Sequence, residues 1–490
     1  MESSQLGQKV RSAYLWTFAG TFVKQGLTFG LSMLLARLLS PADYGLIGIV
    51  LVVISYLSSF QDLGLGDAVI YFNDDDSALP TYFTTTALMG AMLTAVTFLL
   101  APWIADYYHQ PELVPLIRVL SFSIAVNGLR SVSQGIIRKN FQFRQLVVFE
   151  TVAAVGSASV AVLMAWLGFG VWSLVTNLMI SSVVQTGIVI SVVRPRFTWR
   201  LNMEVLRRIL KWGLPLTGSV VLWKVYDNAD YLIIGRVVGA EALGLYTMAF
   251  RLATLVNDKV SAIVLRVSFP QFAAVLKEQP ERAAAEWFSL TQKVALINFP
   301  LLALMSVLSE DLIRVLLGEK WLAAVVPMRI LCIVGAIKTL SSISSSMIDA
   351  IGRTDVLLVI NIAMVLIMPA GFYVGCTWSG NNGVAIAWAI LLPTMLLSIS
   401  WWVARQVRAS LWDYCRNLAF PLMVAAAAAG PSLPPVLLMK SGWARLLVGG
   451  TLGAAGGLAV LFSKPGIRQQ AQGLLAKVRS RIPALAPTGG

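Results

Sequence analysis

The chain has 490 residues, of which 57% are hydrophobic and 13% charged, with a formal net charge of +14. Soluble domains carry about 25% charged residues, so this balance and a mean hydropathy of +0.75 exclude an ordinary soluble domain. They point to an all-α polytopic membrane protein. One histidine, His109, and three scattered cysteines, Cys332, Cys376 and Cys415, leave no zinc site, redox motif or disulfide framework, and neither a metal nor a cofactor is expected.

In chain order, the opening Met1 to Val10 is polar. The apolar run after Arg11 is too long for a signal-peptide core and lacks a small-residue cleavage site, so it reads as a retained first helix. Apolar runs predict spans near 13–36, 44–72, 82–104, 113–137, 147–168 and 170–193. A second series follows near 209–235, 242–272, 288–309, 325–350, 355–376, 382–404, 417–438 and 442–462. With about 20 apolar residues per crossing, this gives about fourteen transmembrane helices. The triplet Asp74-Asp-Asp76 sits in a short loop with no nucleotide-binding domain around it. Gly64-Leu-Gly66 lacks a third glycine and a preceding strand, so no enzyme motif is supported by either.

Short loops rich in Lys and Arg stay on the cytoplasmic side. With both termini inside, the inner connections hold Arg138, Lys139 and Arg144, the group Arg194, Arg196, Arg200, Arg207 and Arg208, then Lys277 and Arg282, then Arg405, Arg408 and Arg416. The tail adds Lys464, Arg468, Lys477, Arg479 and Arg481, whereas the outer connections hold chiefly Arg37, Arg236, Arg314 and Lys320. The acidic segment at 73–76, with Asp74 to Asp76, falls inside, but carboxylates weigh little in this rule. Much of the positive charge is therefore topology, and no nucleic-acid partner is expected.

An internal repeat is visible. Arg37-Leu-Leu-Ser-Pro-Ala-Asp-Tyr-Gly45-Leu46 parallels Arg236-Val-Val-Gly-Ala-Glu-Ala-Leu-Gly244-Leu245 at an offset of 199 residues (236 − 37). A weaker echo pairs Ser133-Gln-Gly-Ile136 with Ser345-Ser-Met-Ile348 at an offset of 212 (345 − 133). Both echoes move six helices along, and an even shift preserves orientation. The expected architecture is two parallel six-helix lobes, 1–193 and 209–404, joined by a basic loop at 194–208. Two further helices within 405–462 and a basic tail at 463–490 complete it.

Lys24, Arg130, Lys224, Arg251 and Lys338 each interrupt a stretch apolar enough to cross a bilayer, where a central charge costs at least about 2.5 kcal/mol. Such charges need water or partners, and a hydrated cationic cavity suits an anionic passenger. Helical spacing adds Lys259 and Arg266, which share a stripe with Arg251 and Asp258 in the eighth span. Lys224, Asp227 and Tyr231 share a face in the seventh, Asn127, Arg130 and Gln134 in the fourth, and Lys338, Ser341, Ser342, Ser345 and Asp349 in the tenth. Asp227 could neutralise Lys224, and Asp258 could pair with Arg251 or Lys259. Glu150 or Asp62 could partner Lys24 or Arg130. Arg118, Lys211 and Arg329 lie near span ends and are expected to snorkel. Gly449, Gly453 and Gly457 suit close helix packing. Asp227, Asp230 and Asp258 are the candidates for coupling to H+ or Na+, since a carboxylate near mobile cations can change protonation or partner.

Trp16-Thr-Phe-Ala-Gly20, Leu34-Leu-Ala-Arg-Leu-Leu-Ser-Pro-Ala-Asp-Tyr-Gly45, Phe60-Gln-Asp-Leu-Gly-Leu-Gly66 and Asp227-Asn-Ala-Asp-Tyr-Leu-Ile-Ile-Gly235-Arg236 resemble the polysaccharide transporter branch (Wzx, O-antigen and colanic acid exporters) of the MOP flippase superfamily. The resemblance runs over nearly the whole chain and supports the fold more strongly than any one binding residue. It implies movement of undecaprenyl-diphosphate-linked oligosaccharide across the bacterial inner membrane by lobes that rock about a central site. It also implies partnership with a polysaccharide polymerase and a chain-length regulator. Two alternatives stand beside it. A MATE-type multidrug or cation antiporter would favour acidic sites, and here basic residues outnumber acidic ones within the spans. A polysaccharide polymerase would be an enzyme with a long periplasmic loop, and the outer loops here are short.

Overall fold

The computed structural model describes residues 25–62, 64–72, 78–139, 143–194 and 201–464. Lys24, the triplet Asp74 to Asp76, Arg196, Arg200 and the tail beyond Lys464 lie outside the described residues, as do the side chains of Asp62, Asp67, Arg144, Asp258, Lys259 and Arg266. Every described helix or strand is helical. The elements run α1 (25–38), α2 (Pro41–Asp62), α3 (Leu65–Tyr71), α4 (Leu79–Tyr108), α5 (Leu113–Lys139), α6 (Phe143–Trp166), α7 (Val171–Val193), α8 (Met203–Asp227), α9 (Ala229–Val237) and α10 (Ala240–Glu278). They continue as α11 (Ala283–Val307), α12 (Ser309–Leu316), α13 (Val325–Ile351), α14 (Thr354–Gln406), α15 (Leu411–Asn417), α16 (Ala419–Ala429), α17 (Leu433–Leu438) and α18 (Trp443–Ser463).

Among the described residues, 10 helices are long and apolar enough to cross a membrane, which makes this a multi-pass membrane protein. Met203–Asp227 and Ala240–Glu278, expected as charged spans, are helical but are not among these ten. The 53 residues of α14 would extend about 80 Å at 1.5 Å each, far beyond a hydrocarbon core of about 30 Å. Ser379 (φ −148°) and Gly380 (φ 52°) break it, so it supplies both of the spans expected at 355–376 and 382–404. Gly380 sits in the left-handed region that only glycine adopts freely.

Local chemistry sets the boundaries. Ser40 and Asp43 cap α2 reciprocally: the Ser40 N–H donates to Asp43 Oδ2 at 2.8 Å and the Asp43 N–H to Ser40 Oγ at 3.2 Å. Pro41 takes the first helical position, where its missing N–H costs nothing. The span expected at 44–72 is interrupted after Asp62, and Gly64, at φ 67°, starts α3. The helix expected from 209 begins earlier, at Met203, because the Asn202 side chain accepts from the N–H groups of Glu204 and Val205.

Two compact units are distinguished. The first comprises Met1–Ala249, Leu316–Ala324 and Leu358–Trp388. Its core packs α4 along α5 and α6 along α7, with one apolar cluster of Leu65, Ala68, Val69, Tyr82, Phe83, Val132 and Ile209, backed by Phe72 and Trp212. The second comprises Phe250–Val315, Val325–Leu357 and Ala389–Gly490. Its core gathers Ala295, Phe299, Leu340, Leu396 and Ala425. The last two expected spans pack directly on this core, α16 against both α11 and α18. Gly453 permits that approach, since a Cβ there would lie 2.2 Å from Leu304 Cδ2 and 2.5 Å from the Ala428 carbonyl.

Candidate functional site

In the first unit the two repeat motifs meet. A Cβ added to Gly45 would stand 1.6 Å from the carbonyl oxygen of Ala240, and one added to Gly244 would stand 1.7 Å from that of Pro41. Adding the repeat offset of 199 converts 45 into 244 and 41 into 240, so the two contacts are reciprocal copies of each other. Only residues without a side chain let α2 and α10 cross at this distance. The segment at Glu319–Ala324 packs beside the crossing. Trp321, fully buried, donates its Nε1–H to the Ala36 carbonyl at 2.9 Å and meets the Tyr44 ring edge-on at 5.4 Å. Lys320 Nζ donates to the Arg37 carbonyl at 2.8 Å, and Arg37 Nε to that of Leu316 at 3.0 Å. Across the kink of α14, Asn381 donates to the Ala242 carbonyl at 2.7 Å.

Asp230 lies next to this crossing, in the first turn of α9, where the helix dipole favours negative charge. It is 0% exposed. Tyr246 Oη donates to Oδ2 at 2.7 Å, Trp388 Nε1 donates to the same oxygen at 2.8 Å, and the Tyr231 N–H reaches Oδ1 at 2.9 Å. One carboxylate thus joins α9, α10 and the second leg of α14.

The seventh span is broken at Asn228 (φ −120°, ψ 6°), so the helical spacing expected to align Lys224, Asp227 and Tyr231 does not run through. The break orphans the last carbonyls of α8. Tyr56 Oη, from α2, donates to the Lys224 carbonyl at 2.9 Å and to that of Val225 at 3.4 Å, and Asn228 Nδ2 adds a bond to the former at 3.0 Å. The Lys224 ammonium donates to the Ser55 carbonyl and to Ser59 Oγ, both at 2.7 Å. Neither acceptor is a carboxylate.

Arg130 belongs to a separate polar seam between α5 and α7. Its Nη1 donates to Gln185 Oε1 at 2.5 Å, Gln185 donates to Ser181 Oγ at 2.8 Å, and Ser182 donates to Asn127 Oδ1 at 3.3 Å. Glu150 acts on the guanidinium electrostatically, as one of the partners expected from the sequence. The seam's α7 half was not anticipated. Its signal was present as Ser181, Ser182 and Gln185 at helical spacing in an otherwise apolar run. Arg118 stacks over Phe98 at 4.8 Å.

In the second unit, Lys338 Nζ lies 5.1 Å from the Phe250 ring centroid, a cation–π geometry, and Arg251 follows Phe250 on α10 with an exposed side chain. Lys338 thus lies against the turn of α10 that carries Arg251. Asp258, Lys259 and Arg266 sit on the same unbroken α10. Along α13, Lys338, Ser342, Ser345 and Asp349 occupy the less buried side, whereas Ser341, expected with them, is buried and donates to the Ile337 carbonyl. The opposite side is bonded inward, through Ser344 to Ser400 and Trp287, and Ser346 to Ser268. A chain also runs from Asn298 Nδ2 to Thr339 Oγ1 at 2.6 Å and on to Asn257 Oδ1 at 2.5 Å. Among the described residues no group of His, Cys, Asp and Glu could hold a metal ion.

Among the described residues of the second unit is a buried ion pair that the sequence did not suggest. Arg445 Nε meets Asp311 Oδ1 at 2.7 Å and Oδ2 at 2.8 Å, the Gly442 N–H donates to Oδ1 at 2.9 Å, and Arg445 Nη2 lies 3.1 Å from Glu310 Oε2. Partial burial raises the Glu310 carboxyl, but the hydrogen bonds and charges of Arg445 and Arg314 outweigh it and hold the group below its usual range.

Comparison with known proteins places this geometry. A chain 28% identical over 418 residues, the teichuronic acid biosynthesis protein TuaB of Bacillus subtilis, is covered over 84% of its length by 82% of this one. The lipopolysaccharide biosynthesis protein WzxC of Escherichia coli is 24% identical over 439 residues, covering 87% of this chain and 88% of that one. The succinoglycan biosynthesis transport protein ExoT of Rhizobium meliloti is 28% identical over 305 residues, 62% of this chain and 60% of that one. In fold, the chain resembles the lipid II flippase MurJ in an inward closed conformation, with a TM-score of 0.75 at 13% identity over 91% of this chain and 98% of that chain. It also resembles an inward-facing multidrug resistance MATE family transporter of the MOP superfamily, with a TM-score of 0.66 at 16% identity over 80% of this chain and 96% of the other. The model of the family described as polysaccharide biosynthesis protein matches residues 34–326, more than half of the sequence. The chain belongs to that family.

Proposed function

We propose that this protein is a flippase, not an enzyme, that moves undecaprenyl-diphosphate-linked oligosaccharide units from the inner to the outer leaflet of the bacterial cytoplasmic membrane. The units feed exopolysaccharide, capsule or O-antigen assembly. The motion is alternating access of two lobes, 1–193 and 209–404, with both termini cytoplasmic. Lys24, Arg130, Lys224, Arg251, Lys259, Arg266 and Lys338 receive the diphosphate and any acidic sugars, and the lipid chain trails into the bilayer. Asp227, Asp230 and Asp258 are the residues through which H+ or Na+ would be coupled. A polymerase and a chain-length regulator are the protein partners.

The observation that carries this reading is Arg130. A guanidinium within a membrane helix, bonded to the neutral amide of Gln185 and acted on by Glu150 without a direct bond to it, keeps donors for a further anion, and arginine's planar fork matches phosphate oxygens. A diphosphate crossing a region of low dielectric requires such compensation. Family membership and the names of its relatives agree with this chemistry.

The test is export of surface polysaccharide by a deletion strain complemented with single alanine variants of Lys24, Arg130, Lys224, Arg251 and Lys338 at matched protein levels. Arg130→Ala is expected to lower export by at least tenfold and Arg130→Lys to restore part of it. Full export by all five alanine variants overturns the proposal. Increased sensitivity of the deletion strain to cationic dyes with polysaccharide intact would instead select the drug antiporter.

A further inference from the structure

Three cations of the second unit sit against aromatic faces at helix ends. Arg405, in the last turn of α14, stacks its guanidinium 3.9 Å from the centroid of Trp401, one turn earlier. Lys464, just past α18, holds its ammonium 3.8 Å from the centroid of Phe420, in the first turn of α16. Arg353, at the N-cap of α14, lies 5.9 Å from Trp402, but its donors are spent, Nε and Nη2 each giving a 2.9 Å bond to Asp355. Arg405, Arg408 and Arg416 differ. Among the described residues none of these three forms a side-chain hydrogen bond or ion pair, and Asp413 is the one acidic residue between 405 and 416. A guanidinium stacked on a ring keeps its N–H donors in its own plane, turned away from the ring face.

The placement of these arginines is specific. Arg408 follows the end of α14 at φ 53°, and the Ala409 N–H returns past it to the Ala404 carbonyl at 2.8 Å. Helices that close in this way usually carry glycine at that position. An arginine there is strained where glycine would be relaxed, so the side chain, not the turn, accounts for it. Next comes α15, capped by Ser410 and fixed by one face only. Tyr414 is fully buried and stacks on Trp287 at 4.6 Å, and Asn417 Nδ2 donates to the Phe288 carbonyl at 2.8 Å. Two residues either side of Tyr414, Trp412 and Arg416 turn to the other face, with Trp412 74% exposed.

We propose that this surface of the second unit is a seat for the phosphate headgroup of an anionic phospholipid of the surrounding membrane. Arg405, Arg408 and Arg416 donate to the phosphate oxygens, and Trp401 and Trp412 lie at the level where acyl chains meet water, the depth at which tryptophan settles. Three cations to one carboxylate is the complement of an anionic headgroup, and basic clusters at the cytoplasmic ends of membrane helices recruit such lipids. The lipid is held and not carried, so the seat goes beyond the flippase reading and does not depend on it. Topology alone asks only for basic residues somewhere in the connection, whereas a seat asks for these arginines.

The experiment measures the thermal midpoint of the full-length protein in a neutral detergent, with dioleoyl phosphatidylglycerol, dioleoyl phosphatidylcholine or water-soluble glycerol phosphate added. Phosphatidylglycerol should raise the parent's midpoint by several degrees, and the other two should leave it in place. Arg405→Gln and Arg408→Gly should each lose most of that gain, and Arg408→Lys should keep it. Without lipid, Arg408→Gly should melt at or above the parent, because the backbone strain is relieved, so its lost response is not damage to the fold. Arg282→Gln removes a cation of the same unit whose guanidinium bonds Gln279, and it should respond as the parent does. Equal gains from the two lipids, or a full gain in the double variant Arg405→Gln with Arg408→Gly, would overturn the seat. So would an equal loss in Arg282→Gln, which would make the response one of net charge. A gain reproduced by glycerol phosphate would make the ligand a free phosphate and overturn the membrane as its source.

Discussion

Asp230 shows how a single buried carboxylate is made tolerable. Desolvation of an unpaired charge is costly, and here three donors and a helix N-terminus offset it. Asparagine is nearly isosteric but presents an N–H₂ where an acceptor is needed, or leaves one donor unmatched after flipping. Asp230→Asn should therefore destabilise the protein by about 1–3 kcal/mol, read as a lower thermal midpoint in detergent. Glu310 behaves in the opposite sense from a neutralised group. Its carboxyl is held below the usual range, so it contributes stability above its unfolded pKa of about 4.3, and that contribution is lost as pH falls through the lower folded value. Thermal midpoints taken from pH 7 down to about pH 3 should fall more steeply for the parent chain than for Glu310→Gln. Identical acid limbs would remove Glu310 from the account. Arg445 was not singled out from the sequence. Its pairing with Asp311 connects residues 134 positions apart, which no local pattern encodes.

Among helices, legibility depended on whether the signal was local. The glycines of the repeat and most of the polar stripe of α13 were readable, because each lies at a fixed offset or on one face, and the Ser40–Asp43 cap, though not singled out, is equally local. The breaks at Gly64 and Asn228 were not read as breaks, whereas Gly380 falls in the connection expected between the spans at 355–376 and 382–404. Gly64 lies between Asp62 and Asp67 and Asn228 between Asp227 and Asp230, within stretches apolar enough on average to read as single spans, and a hydropathy average does not register a change of direction. The glycine crossing yields a direct test. Gly45→Ala places a methyl at 1.6 Å from a carbonyl oxygen, which requires the two helices to separate and should cost about 3 kcal/mol or more. Gly244→Ala should do the same. Gly156, in α6 with nothing within 4 Å of its would-be Cβ, is the control: Gly156→Ala should be neutral or gain about 0.5–1 kcal/mol. Equal thermal midpoints for the Gly45 and Gly156 variants would remove the crossing from the account of stability.

For the molecule as a whole, the distribution of basic residues predicts that Arg138, Arg208 and Arg405 face the cytoplasm and that His109, Arg236 and Lys320 face outward. Alkaline phosphatase fusions after Gln110 and Gly239 should be active, and fusions after Lys139, Asn202 and Gln279 inactive; the reverse pattern would invert the protein in the membrane. Composition and hydropathy alone determined that this is a multi-pass helical membrane protein, and the motifs alone supported its family, because burial in lipid demands long apolar helices and repeated turns demand particular residues at fixed offsets. Only the tertiary structure decided which cations are engaged and by what. Lys224 is held by the α2 backbone and a serine, Arg130 by a glutamine, and Arg445 by a buried aspartate. The cost of a charge in a membrane is sequence-readable, whereas the group that relieves it lies on another helix, and its identity follows from packing between segments distant in the chain.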